Sequence, residues 1–274
     1  MNGPILSIIT VNFNNNLGLL KTLESVSSQS FSSYEHIIID AGSTDGSRET
    51  IIQYEKENPH LSFWSSEPDK GIYDGMNKGI DHAKGQYLYF LNSGDCLSQD
   101  ILAKIPFDGT EYLYGDTILF YKRKTKKRVY PDTLDLIYLS DNSLHHQSCF
   151  IHHTLFKDKR YDINYKIISD WAHCFQCLII ENRTYRHLPY IISECDGRGI
   201  SSNGKERTLW FQNTFPATQS KVFIDCAALD RSGFRDIIHI LANTHKFKKR
   251  MKTLILFLYE INNLFSYKHK RIKN

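Results

Sequence analysis

Four runs of this chain place oxygen-bearing side chains directly after apolar, β-branched stretches. Asn12 and Asn14 follow ILSIITV, Asp40 and Asp45 lie in IIIDAGSTD, Glu67 and Asp69 in WSSEPD, and Asn92, Ser93 and Asp95 in YLYFLNSGD. If each stretch is a strand of one open α/β sheet, these groups converge on its carboxyl edge, where such sheets bind ligands. Carboxylates gathered there without compensating bases suit a hard divalent cation, Mn²⁺ or Mg²⁺, and the phosphates that it bridges. No GxxxxGK[ST] loop is present, so the site is not a P-loop. No GxGxxG follows the first apolar run, which weighs against a dinucleotide oxidoreductase.

The elements that must position these groups are legible from periodicity. Residues 5–12 read as a strand, followed by a polar Asn loop and a helical LGLLKTLESVSSQ. The unit recurs: YEHIIID is a strand, RETIIQYEKEN a helix stopped by Pro59, LSFWSSE a strand, IYDGMNKGIDHAK a helix and GQYLYFL a fourth strand. Such alternation predicts right-handed βαβ units in a doubly wound, mostly parallel sheet. Beyond Asp95 the regularity fades. EYLYGDTILFYKRKTKKRVYPD reads as a hairpin with a basic turn, NSLHHQSCFIHH as a strand entered from a His-rich loop, residues 165–181 as helical, TYRHLPYII as a strand and GKERTLWFQNTF as helical. Asp95 could also cap a helix over 99–103.

The 274 residues suit one large domain, or one domain plus an appendage. Six scattered cysteines and an N-terminus without a basic n-region or cleavage site point to a reducing, cytosolic compartment. Cys174 and Cys177 lack a second pair at zinc spacing and read as buried thiols. Residues 246–274 hold nine Lys or Arg against the single acid Glu260, so the basic character belongs to a tail. There Leu254, Phe257, Leu258, Ile261, Leu264 and Phe265 share one helical face between clusters of cations. That pattern predicts an interfacial helix on an anionic leaflet rather than a bilayer span. Without a second basic patch or a recognisable module, nucleic acid is not an expected partner.

Taken together, TVNFN, IIIDAGSTDGS, EPDKGIYDGMNKG, YLYFLNSGD, LHHQSCFI and ISDW resemble, in order and spacing over about residues 5–200, the family 2 glycosyltransferases with the GT-A fold. The similarity is greatest to bacterial enzymes of O-antigen and capsular polysaccharide assembly. The resemblance implies a nucleotide-diphospho-sugar transferase domain over 1–225, with the nucleotide-sugar half in 1–100 and the acceptor half in 101–225, and a C-terminal helical, membrane-associating extension over 226–274. It implies that Asp40 accepts from uracil N3–H, that Thr10, Asn12 and Asn14 lie against the nucleoside, and that Lys70, Asp74, Asn77, Asn92 and Ser93 shape the donor pocket. Asp95 would bind Mn²⁺ or Mg²⁺, and Asp170 would be the catalytic base. Tyr114, Asp116, His146, Gln147 and Arg198 would lie on the acceptor or pyrophosphate side.

The expected reaction is an inverting transfer of a hexose, glucose or galactose, from a UDP-sugar to a polyprenyl-diphosphate-linked sugar at the cytoplasmic face of the bacterial inner membrane. The chain departs from the family pattern at Asn92, Gly94 and Ala41, where relatives often carry acids, so Asp95 stands alone. Two other classes stay open: a sugar nucleotidyltransferase, disfavoured because TVNFNNN has neither a GxGTR-like loop nor a following lysine, and a non-catalytic scaffold docked on membranes. Plain structural roles also remain for the candidates, as turn or helix-cap residues for Asp40, Asp45 and Asp170 and as loop residues for His145 and His146.

Overall fold

The computed structural model describes residues 3–197, 204–217, 220, 221 and 224. Arg198 and the basic tail over 226–274 lie outside the described residues, as does any structural account of the interfacial helix. Among the described residues no helix is long and apolar enough to cross a membrane.

The chain divides into two units. The first comprises 1–132, 144–170 and 185–201. Its centre is a nine-stranded sheet made of β1 (Leu6–Asn12), β2 (Tyr34–Asp40), β3 (Leu61–Ser66), β4 (Tyr87–Phe90), β5 (Cys96–Leu97), β6 (Tyr112–Tyr121), β7 (Lys124–Arg128), β8 (Cys149–His152) and β9 (Tyr185–Asp196). The order is β3-β2-β1-β4-β8-β6-β9-β5, with β7 paired to β6. Strands β3, β2, β1 and β4 are mutually parallel, as are β6 and β9, while β8 runs antiparallel to both β4 and β6. The parallel expectation therefore holds for the first hundred residues and gives way to a mixed sheet beyond them. Strand order reverses between β1 and β4, which opens a crevice at their carboxyl ends.

Every residue of β1 and β2 is buried, as continuous β-branched runs require when a sheet is covered on both faces. Helices α1 (Asn16–Ser27), α2 (Ser47–Glu57) and α3 (Ile72–His82) follow the first three strands. On α3 the buried residues Tyr73, Met76 and Ile80 recur at helical spacing. Gly79 lies on the same helix and lets it ride directly on β1. A Cβ there would stand 2.4 Å from Ile9 Cγ2, well inside contact distance. A core of Leu6, Ile8, Tyr87, Tyr89, Leu113, Phe150 and their neighbours fills one side of the sheet, and Leu19, Leu23, Ile38, Ile51 and Tyr54 form a second cluster.

The second unit comprises 133–143, 171–184 and, among the described residues, those from 204 onward. It contains α4 (Leu136–Asp141), most of α5 (Ser169–Phe175), a π turn over Gln176–Ile180 and α6 (Gly204–Thr214). Trp171, Phe175, Trp210 and Phe211 meet edge to face or tilted with ring centroids 5.2–5.6 Å apart, and the indole N–H of Trp171 donates to the Leu139 carbonyl. The helix expected over 165–181 thus begins at Ser169. Over 99–103 the chain forms no α-helix, only a 3₁₀ turn at Leu102–Lys104, so Asp95 caps nothing there. No disulfide joins any of the five described cysteines to another.

Candidate active site

At the ends of β1 and β2, Asp40 is wholly buried. Its carboxylate accepts from the Asn12 amide, the Ser66 hydroxyl, and both the hydroxyl and backbone N–H of Ser43. Four donors fill about all the lone-pair sites of a carboxylate. Burial pushes the Asp40 pKa up, but the Ser43, Ser66 and Asn12 hydrogen bonds outweigh it and hold the group below the ordinary value. The structure therefore spends on its own chain the carboxylate that the resemblance assigns to a base N–H, and Asp40 ties down the loop after β2. Ser43 extends the tie, since its hydroxyl also takes the N–H of Asn14, while the Asn14 side chain accepts from the Thr44 N–H. Thr10 is not at this edge. It is fully buried, and its hydroxyl meets His36 Nε2 at 2.9 Å within the sheet. Phe13, by contrast, is 63% exposed beside these asparagines.

At the end of β4 the chain turns tightly from Asn92 to Asp95, closed by the Asp95 N–H on the Asn92 carbonyl. Gly94 adopts φ +100°, a conformation that an acid at this position would adopt only with strain. The Thr22 hydroxyl of α1 receives the Gly94 N–H and donates to the Asp95 carbonyl, and Asn15 donates to the Ser93 carbonyl. Asp95 is 8% exposed. Its Oδ2 accepts from Gln147 Nε2 at 2.6 Å and its Oδ1 from the Asp196 N–H at 3.2 Å. Burial pushes its pKa above the ordinary carboxylate value, with the Gln147 amide opposing.

These contacts bear on the metal that the family implies. Two N–H donors leave about half the lone-pair sites of Asp95 available, and a single hard carboxylate suits Mg²⁺ or Mn²⁺. Among the described residues no group of three His, Cys, Asp or Glu side chains could hold a metal alone. The donor set fits a cation that arrives with a diphosphate and keeps several waters.

Asp170 stands at the start of α5, in the same unit as Asp95. The hydroxyl of Tyr73, from α3, donates to Asp170 Oδ1 at 2.8 Å, and His146 Nδ1 lies 2.9 Å from Oδ2. The far side of the same imidazole, Nε2, meets Asn92 Nδ2 at 3.0 Å. His146 and Gln147 are consecutive residues of one 3₁₀ turn, which Tyr89 of β4 fastens by donating to the Gln147 carbonyl. This dipeptide thus holds one acid with each side chain. Burial and the neighbouring His146 and Arg128 drive the His145 pKa down to about 4; its ring is hydrogen-bonded to the Tyr130 hydroxyl.

Other candidates have local partners. Asp74 accepts from the Lys70 N–H and faces Lys78 across 3.8 Å, while the Lys70 side chain is exposed. Asn77 makes two hydrogen bonds to the backbone of Tyr161, pinning that loop to α3. Tyr114 is buried with its hydroxyl on the Pro131 carbonyl. Asp116, also buried, takes His187 Nε2, the Tyr130 N–H and Lys127. Tyr114 and Asp116 therefore brace the β6–β7 hairpin and its return instead of lining the crevice. Residue reasoning missed Phe13, Ser43 and Tyr73 as individuals, although all three fall inside the motifs quoted above. A cleft of about 380 Å³ opens at the opposite edge, near Tyr34, Asn58 and His60, away from both acids.

This mixed α/β sheet with its switch-point crevice has the GT-A fold. A protein from Staphylococcus aureus, TarS residues 1–349 in complex with UDP-GlcNAc, superposes with a TM-score of 0.63 over 94% of this chain and 81% of its own, at 14% identity. The sequence profile "Glycosyl transferase family 2" matches residues 7–166, well over half the chain, and the protein belongs to that family. Among curated relatives, an uncharacterized glycosyltransferase of Mycobacterium tuberculosis is 43% identical over 103 residues, a match spanning 37% of this chain and 38% of that relative's length. The PGL/p-HBAD biosynthesis glycosyltransferase of Mycobacterium bovis BCG is 28% identical over 74% of this chain and 81% of its own.

Proposed function

We propose that the protein is an inverting glycosyltransferase that moves a hexose, glucose or galactose, from a UDP-sugar to a lipid-linked acceptor such as GlcNAc-diphospho-undecaprenol, forming a β-glycoside in the assembly of a bacterial surface glycan of O-antigen type. The observation that carries this reading is the pair of acids gripped by one dipeptide, Asp95 through Gln147 and Asp170 through His146. Asp95 sits where the diphosphate must leave, and Asp170 is a separate carboxylate able to take a proton. The UDP-GlcNAc complex of the TarS neighbour supports a nucleotide-sugar donor, and the PGL/p-HBAD biosynthesis name of the mycobacterial relative supports a glycan-building role.

In this mechanism the uracil packs against the exposed ring of Phe13 and the loop that Asp40 ties down, and Asn14, Asn92 and Ser93 line the donor. Lys70, exposed on the loop before α3, is within the donor-side motif and contributes positive charge there. When bound at Asp95, Mn²⁺ or Mg²⁺ supplies neutralisation of the diphosphate's growing negative charge. Asp170 removes the proton of the acceptor hydroxyl as that oxygen attacks the anomeric carbon from the face opposite UDP. One base and one leaving group give single displacement, hence inversion. Tyr73 donates to Asp170 and keeps its carboxylate aimed. The tail over 226–274 holds the enzyme peripherally at the cytoplasmic leaflet, where a polyprenyl-linked sugar is presented.

A donor screen with extracted lipid-linked GlcNAc, run with Mn²⁺ and with EDTA, tests the reading. Asp170→Asn is expected to lower kcat about 10²- to 10⁴-fold, a barrier increase of roughly 3–5 kcal/mol. Full transferase rate in that variant would remove Asp170 as the base.

A further inference from the structure

Asn92, His146, Asp170 and Tyr73 come from four separate parts of the first unit, yet their polar atoms form one unbroken line. The contacts are Asn92 Nδ2 to His146 Nε2 at 3.0 Å, His146 Nδ1 to Asp170 Oδ2 at 2.9 Å, and Tyr73 Oη to Asp170 Oδ1 at 2.8 Å. Each end of the line is a donor, and the direction of every bond follows. The Asn92 amide nitrogen can only donate, so His146 Nε2 must carry its lone pair. A neutral ring then has its one proton on Nδ1, directed at the Asp170 carboxylate.

The orientation of Asn92 has a cost that makes it informative. As placed, Asn92 Oδ1 is buried without a hydrogen-bond partner, a condition that costs about 1–3 kcal/mol. Rotating the amide by 180° would give Oδ1 the ring Nε2 as a donor. It would also require a proton on Nε2, which in a neutral ring turns the Nδ1 lone pair against the lone pairs of Asp170. The present orientation is the one in which a neutral ring keeps both Asp170 contacts favourable, and the rotated one would need an imidazolium.

We infer that His146 is a positioning residue for Asp170, held in the neutral Nδ1–H tautomer by Asn92, so that the turn receiving the donor's diphosphate also aims the base. This rests on the reading of Asp170 as the base. With Tyr73 on one oxygen and His146 on the other, the carboxylate is held from both sides. Asn92 thereby acquires a role distinct from ligand contact. An aspartate at 92 would accept from Nε2–H and turn the same ring into an imidazolium between two carboxylates. Asparagine keeps the ring neutral. The consecutive residue Gln147 contacts Asp95, so a single 3₁₀ turn sets the positions of both acids.

The test has two readouts. In the full-length protein labelled with ¹⁵N-histidine, the ring signals of His146, assigned by their loss in His146→Asn, are expected to show the neutral Nδ1–H pattern at pH 7.5. Asn92→Asp is expected to convert them to the imidazolium pattern. An Nε2–H or imidazolium pattern in the wild type overturns the inference whatever the enzyme's substrate. For turnover, with the donor selected by the screen, His146→Ala is expected to lower kcat about 10- to 100-fold while donor KM stays within about twofold. His146→Asn, whose amide N–H replaces Nδ1–H, is expected to recover most of that loss, and His146→Gln, whose amide reaches past that position, much less. Unchanged kcat in the Ala variant, or equal kcat in the Asn and Gln variants, overturns the inference. The Asn and Gln comparison serves if the Ala variant does not fold. If Asp170→Asn is inactive while His146→Ala turns over normally, only the positioning role fails. If Asp170→Asn is fully active, the assignment of the base fails instead.

Discussion

The side-chain amide of Gln147 donates to the carboxylate of Asp95 across 2.6 Å, joining a residue of the turn before β8 to the last residue of the turn after β4. An amide here holds the carboxylate without neutralising it, which suits the cation proposed at Asp95. Gln147→Glu would set a second carboxylate against Asp95 and Gln147→Leu would remove the donor. Calorimetric titration with Mn²⁺ in the presence of UDP is expected to show tighter binding in the first variant and at least tenfold weaker binding in the second. Equal affinity across all three proteins would dissociate Gln147 from the cation site.

Phe13 presents its ring to solvent between Asn12 and Asn14. Base stacking on an aromatic face contributes about 1–3 kcal/mol. Phe13→Ala is therefore expected to raise the donor KM or the UDP Kd by about 5- to 100-fold, with kcat changed less than threefold. A fall confined to kcat would place the nucleobase elsewhere.

Asp40 contributes to stability as an ion. Its pKa is lower in the folded protein than in the unfolded chain. Its contribution is thus complete above the ordinary carboxylate pKa of about 4 and disappears as pH falls through the lower folded value. Asp40→Asn is expected to cost about 2 kcal/mol at pH 7, measured by urea unfolding, and the gap from wild type is expected to close as pH falls below 4.

His36 works with the opposite ionic preference. Fully buried between the Thr10 and Tyr54 hydroxyls, it has its pKa lowered to about 3 by burial. The unfolded chain takes up this proton near pH 6.5, so stability falls with decreasing pH from about 6.5 down to about 3. The slope from this group approaches 1.4 kcal/mol per pH unit. His36→Gln is expected to flatten that part of the stability profile, which chemical denaturation at half-unit pH steps would reveal.

Much of the first hundred residues could be read directly. The β-branched runs of β1, β2 and β4 have turn residues at both ends and little to be confused with, and β2 falls on Tyr34–Asp40 as the pattern indicates. Asp95, Asp170, His146 and Gln147 were each legible as residues of fixed motifs, but that His146 and Gln147 each hold one of the two acids was not. The resemblance sets Thr10 against the nucleoside with the rest of TVNFN, whereas its hydroxyl answers a buried histidine on the neighbouring strand. Tyr73 was hidden for a related reason. It occupies a core position of an amphipathic helix, and its partner Asp170 is 97 residues away, a separation that no local periodicity encodes. Asp40 read as a ligand contact because its motif position is shared. Only the coordinates reveal that Ser43, Ser66 and Asn12 have already consumed its oxygens.

The contact at Gly79 has a consequence for tolerance to mutation. Helix α3 carries Tyr73 two turns before that glycine, and Ile9 leaves no room for even a methyl group beneath it. Gly79→Ala would act as a shim between helix and sheet, lifting the phenol from Asp170 without removing any polar group. The alignment of the proposed base is thus gauged by the thickness of one hydrogen atom, set beneath the opposite end of the helix.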